Sequence, residues 1–314
     1  MARYLVTGGA GFIGSNMARA LVARGEQVRV LDDFSTGRRI NLGDIARDVE
    51  VVEGSICDPD VVKRAMTSVA YCLHLAAIPS VPRSVADPLR SNRVNVEGSL
   101  NVILAARDAG VRRVVYASSS SVYGNAPPGR LVEDLPRAPV SPYGVSKAAT
   151  EMYAETFNRL YDLELVGLRY FNVFGPRQDP DSPYAAVIPI FIRALRAGLR
   201  PPVHGDGRQS RDFTYVDNVV EANLRACACP ERIAGVYNVA CGATASVLDL
   251  VATLNSVLGT RLEPEFLPAR PGDIRDSQAD IRRAGRAFGY APQVSLREGL
   301  ERTVAWYKRM EDTP

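Results

Sequence analysis

Tyr143 and Lys147, four residues apart in SPYGVSK, form a pair able to move a proton. Ser141 suits a helix cap and Pro142 the first turn, so both side chains fall on one helical face. A lysine ammonium near a phenol favours phenolate, and so does the positive end of a helix. The expectation is a tyrosine of lowered pKa acting as general base near neutral pH. Such spacing alone is also met in half-buried surface pairs. Here it follows ASSSSVYG, residues 117–124, where four hydroxyls succeed the β-branched run VRRVVY. Serine runs usually mark loops, but this one stands at the end of a buried-strand pattern, where open parallel sheets place their ligands.

A second constellation is VTGGAGFIG, which sets Gly8, Gly11 and Gly14 between a strand and a helix. Gly8 and Gly11 allow a tight turn and close approach to a pyrophosphate, and Gly14 lets the helix pack on the sheet. Helix amides at Phe12 and Ile13 add positive dipole for the phosphates. Asp32, ending the second strand in VRVLDD, is placed for the adenosine ribose hydroxyls and repels a 2′-phosphate. NAD is therefore expected, while Arg38 and Arg39 keep NADP open. Asp33, Ser35, Thr36 and Gly37 complete that wall.

The elements that position these groups alternate short apolar runs with amphipathic segments of helical length, the pattern of βαβ units around a buried parallel sheet. The fold class expected is α/β: a doubly wound parallel sheet (Rossmann) with a smaller C-terminal α/β substrate-binding domain. Residues 1–172 plus about 212–240 would form the NAD domain, and about 173–211 plus 241–314 the second, with a cleft between. The 314 residues are enough for one large or two modest domains. A net charge of +3 without a basic, aromatic-interleaved run gives no reason to expect nucleic acid. Five cysteines without paired CxxC spacing suggest free thiols and a reducing cytoplasm rather than zinc; no metal is expected. MARYLVTGG is broken by glycine too early for a signal peptide, and no apolar run has membrane-spanning length.

The GxxGxxG turn, HLAA at 74–77 and the Tyr143/Lys147 pair together resemble the short-chain dehydrogenases/reductases. LRYFNVFGPRQDP at 168–180 resembles their extended, nucleotide-sugar branch, and the likeness runs over residues 4–308. It implies NAD contacts from Leu75, Ala76, Ala77 and Asn95, and from Lys147 and Tyr170 at the nicotinamide. The third strand departs from the family, since EGSICD carries Ser55 before Ile56 where an acid would stand beside the adenine; Ser55 keeps an acceptor there. Alignment with the sugar-nucleotide enzymes implies that Ser119 is the catalytic hydroxyl, passing the sugar O4 proton to Tyr143. Ser120 and Ser121 then stand where related 4,6-dehydratases carry an acid pair. Two hydroxyls do not replace those acids, which argues against dehydration. Ser118 is assigned a structural part.

On the substrate side the resemblance implies Asn172 at a UDP diphosphate, and Ala186 and Val187 of YAAVIPIF at the uracil. Val203 and His204 lie nearby in this reading, His204 and His74 being structural or lining. Arg211, in GDGRQSRDFTYVDN, and Arg270 with Asp273, in ARPGDIRDSQAD, would converge on the diphosphate, whose oxygens match guanidinium forks. Ser80 and Ser120 would meet the sugar. The chain most resembles UDP-hexose 4-epimerases, and SVPRSVADP at 80–88 is similar to bacterial UDP-N-acetylglucosamine 4-epimerases. Ser277 stands where a tyrosine would crowd an N-acetyl group. UDP-GlcNAc/UDP-GalNAc interconversion is expected, with UDP-Glc/UDP-Gal as a second activity, through a tethered 4-keto sugar that rotates. Alternatives are a strict UDP-glucose 4-epimerase, a UDP-glucuronate epimerase or decarboxylase, and a non-catalytic NAD-binding regulator. Such regulators typically lose the Ser/Tyr/Lys set, which is intact here. A cytoplasmic homodimer is implied, with a four-helix interface from the helices after Val96 and Pro142.

Overall fold

The computed structural model describes residues 2–127, 129–179, 186–269 and 275–311. The first half runs β1 (Arg3–Thr7), α1 (Phe12–Ala23), β2 (Gln27–Asp32), β3 (Val49–Glu53), α2 (Pro59–Met66), β4 (Tyr71–His74), α3 (Val81–Ala86), α4 (Pro88–Asn92), α5 (Ser99–Asp108) and β5 (Arg113–Ser119). After β6 (Arg130–Leu131) come α6 (Pro142–Leu160), β7 (Glu164–Tyr170), β8 (Val173–Phe174), α7 (Val187–Arg196), β9 (Pro202–His204), β10 (Ser210–Arg211) and β11 (Thr214–Tyr215). The chain closes with α8 (Val216–Ala228), β12 (Gly235–Val239), β13 (Ala245–Ser246), α9 (Val247–Leu258), β14 (Glu265–Leu267), β15 (Asp276–Ala279), α10 (Arg282–Phe288) and α11 (Leu296–Glu311).

Alternation along the strands builds the main sheet from both sides. Val6, Leu73, Val115 and Leu168 face α1 and α8, meeting Met17, Leu21 and Val219. Their neighbours Leu5, Cys72, Val114 and Leu165 face α2, α5 and α6, meeting Val62, Ile103 and Phe157. Each aliphatic side chain so buried contributes about 1.5–3 kcal/mol. Seven parallel strands result, in the order β12-β7-β5-β4-β1-β2-β3. The order reverses between β1 and β4, the position at which such sheets open a crevice beyond their carboxyl ends. β12 joins this sheet beside β7, although its sequence follows the loop-rich stretch. The remaining strands form small sheets, β13-β10-β15-β6, β11-β8 and β14-β9. A separate apolar cluster, with Phe191, Leu195, Leu250, Leu254 and Val304, packs α7, α9 and α11 together.

Arg113 and Arg169 are the most deeply buried of three arginines inside the described fold, and each meets carbonyl or carboxylate oxygens. Arg113, at the start of β5, donates to the carbonyls of Cys229 (2.9 Å) and Glu231 (2.8 Å) beyond α8 and to Glu164 (2.8 Å). Arg169, near the end of β7, donates to both oxygens of Glu151 at 2.8 and 2.7 Å.

Candidate active site

The turn after β1 is closed so tightly that side chains would obstruct it. Gly8 has φ +68°, and its amide donates to Leu31 O at 2.7 Å. A Cβ on Gly14 would stand 2.1 Å from Gly8 O, and one on Gly8 would stand 2.7 Å from Ala76 Cα. The loops after β1 and β4 therefore touch at the switch point. α1 starts at Gly11 without a side-chain cap, so its first-turn amides are available to an anion. Asp32, at the end of β2, accepts from Ala10 N (2.9 Å) and Phe34 N (2.8 Å). Burial pushes its pKa up, and those two amides oppose the rise. Arg39 pairs with Glu53 and lies over the Phe34 ring, and Arg38 faces Asp179 at 3.9 Å. With both cations opposite acids, the acid at the ribose position governs, which fits an unphosphorylated ribose.

The groups expected to move a proton enter from β5 and α6. Ser141 caps α6, accepting from Gly144 N at 3.1 Å, and Pro142 occupies the first turn. One turn on, Lys147 Nζ donates to Ala117 O of β5 at 2.9 Å and lies 5.8 Å from the Tyr143 ring centre. Ser119 lines the same cleft as the Tyr143 phenol and accepts from Ser121 Oγ at 2.7 Å. The protein's own groups do not by themselves supply the lowering expected of the tyrosine pKa. Burial pushes the pKa of Tyr143 up, with Ser119 acting against the rise, while burial lowers Lys147 to about 8. Desolvation is the larger effect on the phenol, and a cationic ligand beside it would act in the opposite direction.

Behind the pair lies a charged knot. Glu151, fully buried one turn beyond Lys147, accepts from Ser118 Oγ (2.5 Å), Arg137 (2.7 Å) and Arg169. Burial opposes its charge, but these donors, Arg169 foremost, hold its carboxyl below the ordinary range. Ser118 thus locks the end of β5 to α6. His74 sits buried between Thr7 Oγ1 (2.7 Å) and Ser99 Oγ (2.9 Å), its pKa lowered to about 3 by burial and by Lys147.

One cleft of about 530 Å³ gathers most of the expected residues. Gly8, Gly11, Phe12, Ile13, Gly14, Asp32, Asp33, Ser35, Thr36, Gly37 and Ile56 line its nucleotide end. Leu75, Ala76, Ala77, Ser80, Ser119, Ser120, Tyr143, Lys147, Tyr170, Asn172 and Ala186 line the rest. Asn95 does not line it. Its amide is committed to Ile78 N and O (2.7 and 3.1 Å) and Ser146 Oγ (3.1 Å), bracing the loop after β4. Ser55 turns its hydroxyl to Cys57 N at 3.2 Å, leaving the cleft to Gly54 and Ile56. Val187 opens α7 behind Ala186, and Val203 is buried in the α7/α9 core. His204 Nδ1 donates to Pro268 O at 3.0 Å. Arg211 and Ser277 sit side by side in register on β10 and β15, outside the described lining. Arg270 and Asp273 lie outside the described residues.

Strain gathers at the cleft. Of the non-glycine residues with positive φ, Ser80 (+92°), Asn172 (+36°) and Arg177 (+70°) line it, and Phe34 (+54°) adjoins Asp33. Such conformations persist where surrounding structure imposes them, and they concentrate at functional sites. Arg177, absent from the expectations, donates to Asn16 Oδ1 at 2.8 Å on the α1 side of the cleft. Its signal was the GPRQ loop directly after β8. Asp212 is a second missed residue: its carboxylate accepts from Cys241, Gly242 and Ala279 amides, tying β10 to two later segments. Burial raises it to about 6 against those amides.

A family model described as the NAD dependent epimerase/dehydratase family matches residues 4–240. The chain belongs to this family. NAD is its cofactor, and the glycine cradle, the uncapped start of α1 and Asp32 fit that dinucleotide. The UDP-glucose 4-epimerase of Mycolicibacterium smegmatis is 43% identical over 310 residues, 98% of each chain. A solved UDP-N-acetylglucosamine 4-epimerase from Methanobrevibacter ruminantium, in complex with UDP-N-acetylmuramic acid, superposes with TM-score 0.94 at 39% identity, covering 98% of this chain and 99% of its own. The Thermus thermophilus UDP-glucose 4-epimerase in complex with NAD gives TM-score 0.88 at 37% identity, again over 98% and 99%. Among the described residues, no cluster of histidine, cysteine and acid side chains could hold a metal, and no helix is long and apolar enough to cross a membrane.

Proposed function

We propose that this enzyme interconverts the C4 epimers of a UDP-hexose, UDP-GlcNAc/UDP-GalNAc by preference and UDP-Glc/UDP-Gal as a second pair. The observation that carries the reading is that Ser119, Tyr143 and Lys147 line one cleft with the glycine cradle. NAD supplies, when bound, an acceptor and donor of hydride. Tyr143, bridged by Ser119, takes the O4 proton as the carbonyl forms and returns it when the carbonyl is reduced on the other face. Lys147, fixed to Ala117 O, holds positive charge near the phenol and favours its deprotonated form. Asn172 and the arginines Arg211 and Arg270 hold the diphosphate, so the keto sugar turns without leaving. Ser277 leaves room for an acetamido group.

The serines at 119–121 support epimerisation over dehydration, because none of them is an acid. Ser121 is instead used to buttress Ser119. Purified enzyme given UDP-GlcNAc or UDP-Glc should form the C4 epimer of each, faster from UDP-GlcNAc, as read by product chromatography. No turnover of either sugar nucleotide with NAD present would reject the assignment.

We further propose a homodimer. α6 exposes Val145, Met152, Tyr153 and Leu160 along one face, beside Val85 on α3 and Leu89 on α4. A second copy laid on α6 and on α5, the helix after Val96, would bury that stripe in a four-helix interface. The cysteines are all unpaired thiols, which supports a cytoplasmic location.

A further inference from the structure

The amino end of α6 carries the tyrosine, and its backbone donors must be satisfied. Pro142 has no N–H. Gly144 N uses the Ser141 hydroxyl, and Val145 N uses Ser141 O at 2.9 Å. Tyr143 N is left over, and nothing in its own cap reaches it. It donates to Ser84 Oγ of α3 at 2.9 Å. Ser84 is fully buried, and its own proton goes to Val81 O at 2.7 Å. That second bond fixes the hydroxyl's polarity, since with its hydrogen committed to a carbonyl it can only accept from Tyr143. A hydroxyl is the side-chain group that donates and accepts from one atom in this geometry.

We infer that Ser84 is a positioning residue, holding the backbone of Tyr143 so that the phenol meets Ser119. The same short helix begins at Ser80, whose hydroxyl caps it by accepting from Arg83 N, and both Ser80 and Arg83 line the cleft. A continuous path of four residues therefore connects the cleft wall to the tyrosine backbone. The path leaves and re-enters the site through a helix that holds no reacting group. Ser80 keeps φ +92° at its head, so the helix is set by the cleft loop rather than by its own propensity.

The inference rests on Tyr143 being the proton-transferring group, and the test separates the two. Ser84→Ala, Ser84→Thr and Tyr143→Phe are prepared in the NAD-loaded enzyme and assayed on UDP-GlcNAc. A single neutral hydrogen bond contributes about 1 kcal/mol, so Ser84→Ala should lower kcat about five- to tenfold. KM should stay within about twofold, because the substrate contacts remain. The acidic limb of the kcat–pH profile should move to higher pH, because a phenol set less well against Ser119 loses part of what opposes the effect of burial. Ser84→Thr should restore both. Ser84→Cys, a weaker acceptor, should give an intermediate loss with the same direction of pH shift, and it serves if the alanine variant does not fold. A wild-type kcat and profile in Ser84→Ala or Ser84→Cys, with Tyr143→Phe inactive, would overturn the positioning role alone. A kcat loss with an unmoved profile and no rescue by threonine would also overturn it. Full activity in Tyr143→Phe would instead remove the reading beneath it.

Discussion

The two ends of the cleft are built by different means. At the nucleotide end the wall is backbone: Gly8, Gly11 and Gly14 stand where a Cβ would meet carbonyl or main-chain atoms, and one carboxylate, Asp32, is held by the Ala10 amide. At the sugar end the wall is side chains drawn from α3, β5, α6 and the loops after β7, with Ser80, Asn172 and Arg177 held at positive φ. The first end is specified within a few consecutive residues. The second exists only when segments far apart in the chain impose conformations on each other. A shared cofactor cradle can then persist while the sugar end is retuned by single side chains.

That contrast can be broken in four ways. Tyr143→Phe should have the largest effect, lowering kcat about 10²- to 10⁴-fold with NAD still bound, measured by turnover and by released nucleotide. Gly14→Ala attacks the other end. Its Cβ has nowhere to go, so a destabilisation of about 1–3 kcal/mol in chemical unfolding is expected, with NAD content falling in the purified protein. Retained NAD and stability would show the turn to be softer than its distances imply. Ser277→Tyr should shift the ratio of kcat/KM for UDP-Glc over UDP-GlcNAc upward by about ten- to a hundredfold, and an unchanged ratio would remove Ser277 from specificity.

The smallest expected effect is a pH dependence. His74 is held neutral down to about pH 3, whereas an unfolded chain protonates it near 6.5. Between those values the unfolded state binds a proton that the native state does not. Stability is therefore present above about 6.5 and lost as pH falls through that window. Unfolding midpoints from pH 7 to 5 should fall less steeply in a His74→Gln variant, and the ring carbon protons of His74 should not titrate in that range. Titration near 6.5 would contradict its burial between Thr7 and Ser99.

Much of this was legible because it is local. Glycine spacing, an acid after the second strand and a Tyr/Lys pair one turn apart each sit within a short window, and the structure gathers them in one cleft. What stayed hidden depends on contacts across the chain. Ser84 meets Tyr143 N over 59 positions, and Glu151 closes a knot with Arg169, Arg137 and Ser118 that needs α6 laid on β5 and β7. A clue existed in Arg169, a charge inside an apolar strand, and in Glu151, four residues after Lys147 on one helical face. Asn95 was placed at the cofactor by likeness alone, and its hydrogen bonds put it one layer back. The surroundings of the phenol were harder to read, because sequence displays the neighbouring lysine but not the loss of water around the tyrosine.

The most direct test of the central claim follows a label at the reacting carbon. UDP-GlcNAc carrying deuterium at C4 is incubated to equilibrium, and both sugars are analysed by mass and by proton spectrum. Two C4 epimers are expected, each with deuterium still at C4 and none lost to water. Label washed into solvent, exchange at C5, or a single unchanged sugar would contradict it.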